Sequence, residues 1–181
     1  MRNRIRKSTE LVYVELRIAG NVPLFTITSF RKKILDGIQW CCDKRGLRVY
    51  EYSLLPDRFL MIANTAWGSL PEVIESYKDF SSKAVMLMLR NGRSGINTSW
   101  MFSVFQEFGP QNKHEGMHIW EEETQTRSVY TQDQIDEAAL SILHQSVKLG
   151  FVEKPQHYLN CSAHPNNPLQ EWIVVATDPW S

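Results

Sequence analysis

The chain has 181 residues, 43% of them hydrophobic and 11% aromatic, enough for one domain with a buried core and too apolar for a disordered chain. Its 20 Lys and Arg balance 20 Asp and Glu, and this zero net charge argues against a surface that grips phosphate backbones everywhere. The adjacent Cys41 and Cys42 plus Cys161 form no spaced framework of the secreted kind, and the basic opening Met1-Arg-Asn-Arg-Ile-Arg-Lys7 leads into neither a signal-type apolar stretch nor a membrane-length run. The expectation is a reduced, cytoplasmic protein without membrane contact.

Residues 11 to 18 place Val12, Val14, Leu16 and Ile18 in alternation with Tyr13, Glu15 and Arg17, the period of a strand with one buried face. After Gly20 and Pro23, Thr28 or Ser29 is placed to cap a helix carrying Phe30, Ile34, Ile38 and Cys41 at helical spacing, with Lys44 and Arg45 in its last turn and Gly46 as its stop. Two β-rich runs, 47 to 54 and 59 to 65, flank Leu55-Pro56-Asp57-Arg58 and read as a hairpin. From Pro71 a second helix presents Val73, Tyr77, Phe80, Ala84 and Leu87 as one apolar stripe.

Residues 98 to 108, rich in Trp, Phe and Val, are predicted as a further strand closed by Gly109-Pro110, and 117 to 130 as another extended piece. A third helix is predicted near 133 to 149, with Ile135, Ala138, Ile142 and Leu149 inward and Gly150 as its stop. The proline-bearing tail from 154 is expected to be irregular apart from a strand at 172 to 176. This order of elements predicts an α+β fold: a ferredoxin-like α/β sandwich whose antiparallel sheet carries two helices on one face. Residues 1–10 are expected to be a basic arm, 11–162 the domain and 163–181 a tail.

Charge is unevenly spread. Residues 1 to 93 hold 16 of the 20 Lys and Arg against 9 of the 20 Asp and Glu, formally +7, while 94 to 181 hold 4 against 11, formally −7. An acidic partner for the first half is one reading, a dipolar surface without a partner the other.

Several collinear segments resemble the REP-associated tyrosine transposases, members of the HUH single-strand nuclease group. Val12-Tyr13-Val14-Glu15-Leu16-Arg17 and Pro23-Leu24-Phe25 resemble the family's opening strand and turn. Tyr77-Lys78-Asp79-Phe80-Ser81-Ser82-Lys83 resembles its second helix, and Trp120 followed by Ser128-Val129-Tyr130 its tryptophan-led extended segment. Residues 142 to 152, Ile-Leu-His-Gln-Ser-Val-Lys-Leu-Gly-Phe-Val, resemble the family's Tyr-Ile-His-Gln-Asn-Pro-Val-Lys-Ala-Gly-Leu-Val signature with one residue deleted, and Pro155 and Tyr158 follow in step. The likeness runs over residues 11 to 162.

The departures bear on activity. Where the family places Met-Pro-Asn-His-x-His, two imidazoles holding a divalent metal, this chain has Leu55-Pro56-Asp57-Arg58-Phe59-Leu60, so the ligand positions are Arg58 and Leu60. Neither side chain ligates a cation. Where the family has its nucleophilic tyrosine stands Ile142, and Ser146 replaces the amide one turn later. The resemblance therefore implies a relative with no catalytic residues and no cofactor or metal. Read from the residues alone, Leu60 and Ile142 are ordinary core side chains.

One other pattern competes. His114-Glu115-Gly116-Met117-His118 matches His-Glu-x-x-His, the zinc-protease motif, and Glu137 lies 19 residues after His118, where one zincin class supplies a third ligand. The motif needs a stable helix, and Gly116 at its middle with Gly109-Pro110 upstream opposes one. A polar loop leading into Trp120 is the better reading. Ser162 and His164 lie close together, with no acid or oxyanion arrangement legible beside them.

Two function classes follow: a non-cleaving module that binds single-stranded or hairpin DNA, and a structural or protein-interaction domain without DNA contact. For the first, the phosphate-contacting candidates are Arg31, Lys32, Lys33, Arg58, Lys78 and Lys83, joined by Arg2, Arg4, Arg6 and Lys7, with Trp67 and Tyr77 as base-stacking candidates. The resemblance also permits a homodimer.

Overall fold

A computed structural model describes residues 10–92, 97–110 and 118–177. The first strand, β1 (Leu11–Arg17), turns through 3-10 geometry at Ala19–Asn21 and Leu24–Thr26 into helix α1 (Thr28–Arg45). A hairpin of β2 (Leu47–Leu55) and β3 (Arg58–Thr65) leads to α2 (Leu70–Arg90), followed by α3 (Ser99–Phe108), β4 (Gln125–Val129) and α4 (Gln132–Lys148). Among the described residues the strands form one antiparallel sheet of order β2-β3-β1-β4, the ferredoxin-like arrangement expected from the element order.

Alternation along the strands sorts side chains onto two faces. Val14 and Leu16 of β1 and Phe59, Met61 and Ala63 of β3 join α1 and α2 in the larger core. Leu11, Leu60, Ile62 and Val129 meet Ala138 and Ile142 of α4 in a second cluster on the opposite face. Two helices thus share one face as expected, and α4 covers the other. No helix among the described residues is long and apolar enough to cross a membrane.

Several element boundaries follow directly from local chemistry. Gly46 ends α1 in the left-handed region, φ 71°, with its N–H donating to the Cys41 carbonyl, a conformation that favours glycine. The cap predicted at Thr28 or Ser29 is absent: Ile27 precedes the helix without a side-chain cap. In α4, by contrast, the Thr131 hydroxyl accepts the Gln134 N–H at 3.3 Å.

Three expectations need correction. Residues 98 to 108 form a helix, not a strand; Met101 and Phe105, one turn apart, are its buried residues, and the Asn97 Oδ1 accepts the Ser99 N–H at 3.2 Å. The inward stripe of α2 runs through Val73, Tyr77, Ser81 and Val85, while Phe80 and Leu87 are exposed. Leu149 is likewise exposed rather than inward. Of the extended piece expected at 117 to 130, Gln125–Val129 pairs with β1.

The tail lies along the open edge of β2. Leu54 N–H donates to the Asn160 carbonyl at 2.9 Å, Ser162 N–H to Tyr52 O at 3.0 Å and Ala176 N–H to Val49 O at 2.8 Å. The strand expected at 172 to 176 is reduced to a single parallel bridge, Val49 to Val175. Covering an edge in this way removes a template for unwanted pairing. Leu169 and Ile173 are buried in the main core.

Ser162 also donates its hydroxyl to Glu51 Oε1, and burial pushes the Glu51 carboxyl up to about 7, opposed by a hydrogen bond from the Tyr52 backbone. Its proton is held more tightly in the folded chain than in the unfolded one. This contribution to stability is therefore full at low pH and is lost as pH rises from the ordinary carboxylate range to about 7. In urea unfolding, the wild-type midpoint should fall between about pH 5 and about pH 7.5, and Glu51→Gln should flatten that fall.

Candidate nucleic-acid interface

Strand β3 is one of the two inner strands of the sheet, and Arg58, Leu60 and Ile62 alternate onto its α4 side. Leu60 is 1% exposed and Ile142 is fully buried, and both belong to the apolar cluster that joins α4 to the sheet. Ser146, one turn beyond Ile142, is also fully buried, and its hydroxyl bonds back to the Leu143 carbonyl at 3.2 Å. These positions are brought together, and they are filled with packed side chains.

At the rim of that contact lies a compact charge network. Glu15 pairs with Leu60 across the β1–β3 ladder, so it faces α4 as well, and it is only 7% exposed. Its Oε1 accepts from Arg17 Nε at 2.6 Å and from Arg58 Nη1 at 3.4 Å, and its Oε2 from the Tyr13 hydroxyl at 3.2 Å. Arg58 grips Asp57 with two further bonds, Nε to Oδ1 at 3.0 Å and Nη2 to Oδ2 at 2.9 Å. Those Asp57 bonds chiefly raise the Arg58 pKa above its usual range. Burial, with the Glu15 carboxylate next, pushes the Tyr13 phenol up to about 12. The guanidinium fork is thus committed to carboxylates, which opposes a phosphate taking the same donors.

The basic candidates separate clearly. Lys32, Lys33 and Lys83 are exposed on α1 and α2, whereas Arg31 is half-buried and lines a small pocket with Pro56, Tyr158 and Asn160. Lys33 lies 3.7 Å from Asp36, an exposed pair of little energetic weight. Lys78 is turned inward. It is 2% exposed, and its ammonium donates to the Glu122 carbonyl at 3.0 Å and the Thr124 hydroxyl at 3.2 Å. It is therefore a structural lysine, not a phosphate contact. Tyr77 is 1% exposed and offers no face to a base, whereas Trp67 is 45% exposed. Arg2, Arg4, Arg6 and Lys7 lie outside the described residues.

Lys78 belongs to a polar seam that alternation of hydrophobicity does not reveal. The Trp120 indole donates to Ser81 Oγ at 2.8 Å and the Ile119 N–H to Ser82 Oγ at 3.3 Å. Buried polar groups of α2 thereby hold the loop before β4. His118, within this loop, is buried with Nδ1 3.8 Å from Asp79 Oδ1 of α2. Glu137 lies on α4, near Arg127 at 3.8 Å. The sheet separates His118 from Glu137, so the zinc-protease ligand set is not assembled; His114 and Glu115 lie outside the described residues.

This architecture has a solved counterpart. A REP-associated tyrosine transposase bound to a REP hairpin superimposes with a TM-score of 0.62 at 14% identity, covering 98% of this chain and 93% of that one. A Deinococcus radiodurans R1 protein described as a candidate transposase gives a TM-score of 0.40 at 15% identity, covering 80% of this chain and 95% of that one. No family model matches, and no curated protein matches the sequence. The domain is an α+β sandwich of the ferredoxin-like class. Within that class, its fold is similar to that of the REP-associated tyrosine transposase bound to a REP hairpin.

Replacing Lys78 by Ala should lower unfolding free energy by about 1–3 kcal/mol, because the Glu122 carbonyl loses a buried donor. Urea unfolding at neutral pH, with circular dichroism checking the folded baseline, measures the loss.

Proposed function

We propose that this chain is a non-cleaving relative of the single-strand DNA transposases that binds hairpin or single-stranded DNA. The observation that carries the reading is the packing of Leu60, Ile142 and Ser146. On a transposase fold, the positions that the resemblance assigns to a metal ligand, the nucleophile and its helper lie in a closed contact between α4 and the sheet. A phosphodiester has no route to a hydroxyl nucleophile there, and the nearby Arg58 is engaged by Asp57 and Glu15.

Hairpin DNA as the partner is supported by the solved transposase's bound REP hairpin and by the +7 first half of the chain. The contacts assigned to phosphate are the exposed Lys32, Lys33 and Lys83 of α1 and α2, with Arg31 at the start of α1. The protein acts in the cytoplasm and uses no cofactor.

Two measurements test this. Incubated with a labelled single-stranded hairpin and Mn²⁺ or Mg²⁺, the protein should give no covalent adduct on a denaturing gel; an adduct at any tyrosine overturns the non-cleaving reading. In anisotropy, binding should weaken with salt, by about 0.7 log units per log unit of salt for each phosphate neutralised. Combining Arg31→Ala, Lys32→Ala and Lys33→Ala should reduce that slope by about 2. Absence of binding at low salt would leave a structural or protein-interaction role.

A further inference from the structure

The outer surface of the α1–α2 layer carries aromatic rings that the fold leaves in water. Trp40 of α1 and Phe80 of α2 are each 42% exposed. Their rings lie 6.5 Å apart between centroids and within 14° of parallel. Gly37 creates this arrangement: a Cβ there would meet Phe80 Cδ1 at 3.0 Å and Tyr77 Cε2 at 3.2 Å. The missing side chain lets Phe80 lie across α1 next to Trp40. Arg45 extends the surface, its guanidinium carbon 5.9 Å from the Trp40 ring centroid and its Nη1 3.4 Å from Ser76 Oγ.

Exposed aromatic area gathered in one place marks a binding surface more often than scattered apolar residues do. Charge decides between occupants. Helix α1, which carries Trp40, holds Arg31, Lys32, Lys33, Lys44 and Arg45 against Asp36 and Asp43, while α2, which carries Phe80, balances Lys78, Lys83 and Arg90 with Glu72, Glu75 and Asp79; the net positive charge beside the rings comes from α1. A flat aromatic pair with a stacked guanidinium among lysines suits a strand with planar π-faces and a phosphate backbone.

Resting on the DNA-binding reading above, we propose that Trp40 and Phe80, with Arg45, form a stacking platform for unpaired bases of a nucleic-acid strand, while the α1 lysines meet its phosphates. The platform makes binding depend on bases as well as charge and shows no sequence preference, since every base offers a π-face.

The test compares a labelled single strand of about 12 nucleotides with a strand of equal length and charge in which the central bases are abasic, by anisotropy on the full chain. Base stacking of about 1–3 kcal/mol corresponds to about 5- to 150-fold tighter binding of the intact strand. Trp40→Ala and Phe80→Ala should each remove most of that preference and leave abasic-strand affinity unchanged, with circular dichroism checking the fold. Trp40→Tyr should keep it. Equal binding of both strands by wild type overturns the platform alone, as does an undiminished preference in folded Trp40→Ala. If wild type binds neither strand at low salt, the DNA-binding reading itself fails.

Discussion

Strand β3 is covered on both faces, and most of the molecule follows from that constraint. A strand with water on one side can alternate apolar and polar residues; one covered on both sides needs apolar residues throughout or paired polar ones. Phe59, Met61 and Ala63 serve the α1–α2 face, and Leu60 and Ile62 serve the α4 face. An imidazole at position 60 would need a partner for its ring nitrogens in this closed space, and a bound cation is one such partner. Leucine at 60 and isoleucine at 142 satisfy the same space by packing alone. The polar groups are displaced to the rim, where Glu15, Arg17, Asp57 and Arg58 neutralise one another.

The opposite face obeys a different logic. Helix α2 buries Lys78, Ser81 and Ser82, which apolar periodicity would place in water. They are buried because the loop from His118 to Thr124 runs over them and supplies carbonyl, amide and indole partners. The consequence is that α2 turns Phe80 and Leu87 outward. The same rotation removes Tyr77 from any ligand and makes Phe80 available beside Trp40.

How far the sequence discloses this varies by element. The strands and helices through residue 65, and α4, are legible from apolar runs bounded by turn residues, although the single buried face expected of β1 misses that Leu11 and Glu15 are buried on its other side. Helix α3 is not, because Trp100, Phe102 and Val104 have β-forming preferences that mask the Met101–Phe105 pair one turn apart. Apolar residues at 60 and 142 are visible in the chain, but their meeting in one cluster depends on α4 crossing the sheet face. Lys78 is the clearest failure of local reading: nothing near it in sequence announces Glu122 and Thr124, 44 and 46 residues away, as its partners. The Trp40–Phe80 pair is hidden for the same reason, since its two rings come from different helices.

The α4 face of β3 is a packed apolar contact where the resemblance places metal-dependent chemistry. Titrating Mn²⁺ into isotopically labelled protein and following paramagnetic broadening residue by residue tests it most directly. No selective broadening is expected at Leu60, Ile142 or Ser146. Selective, saturable broadening centred on those residues would contradict it.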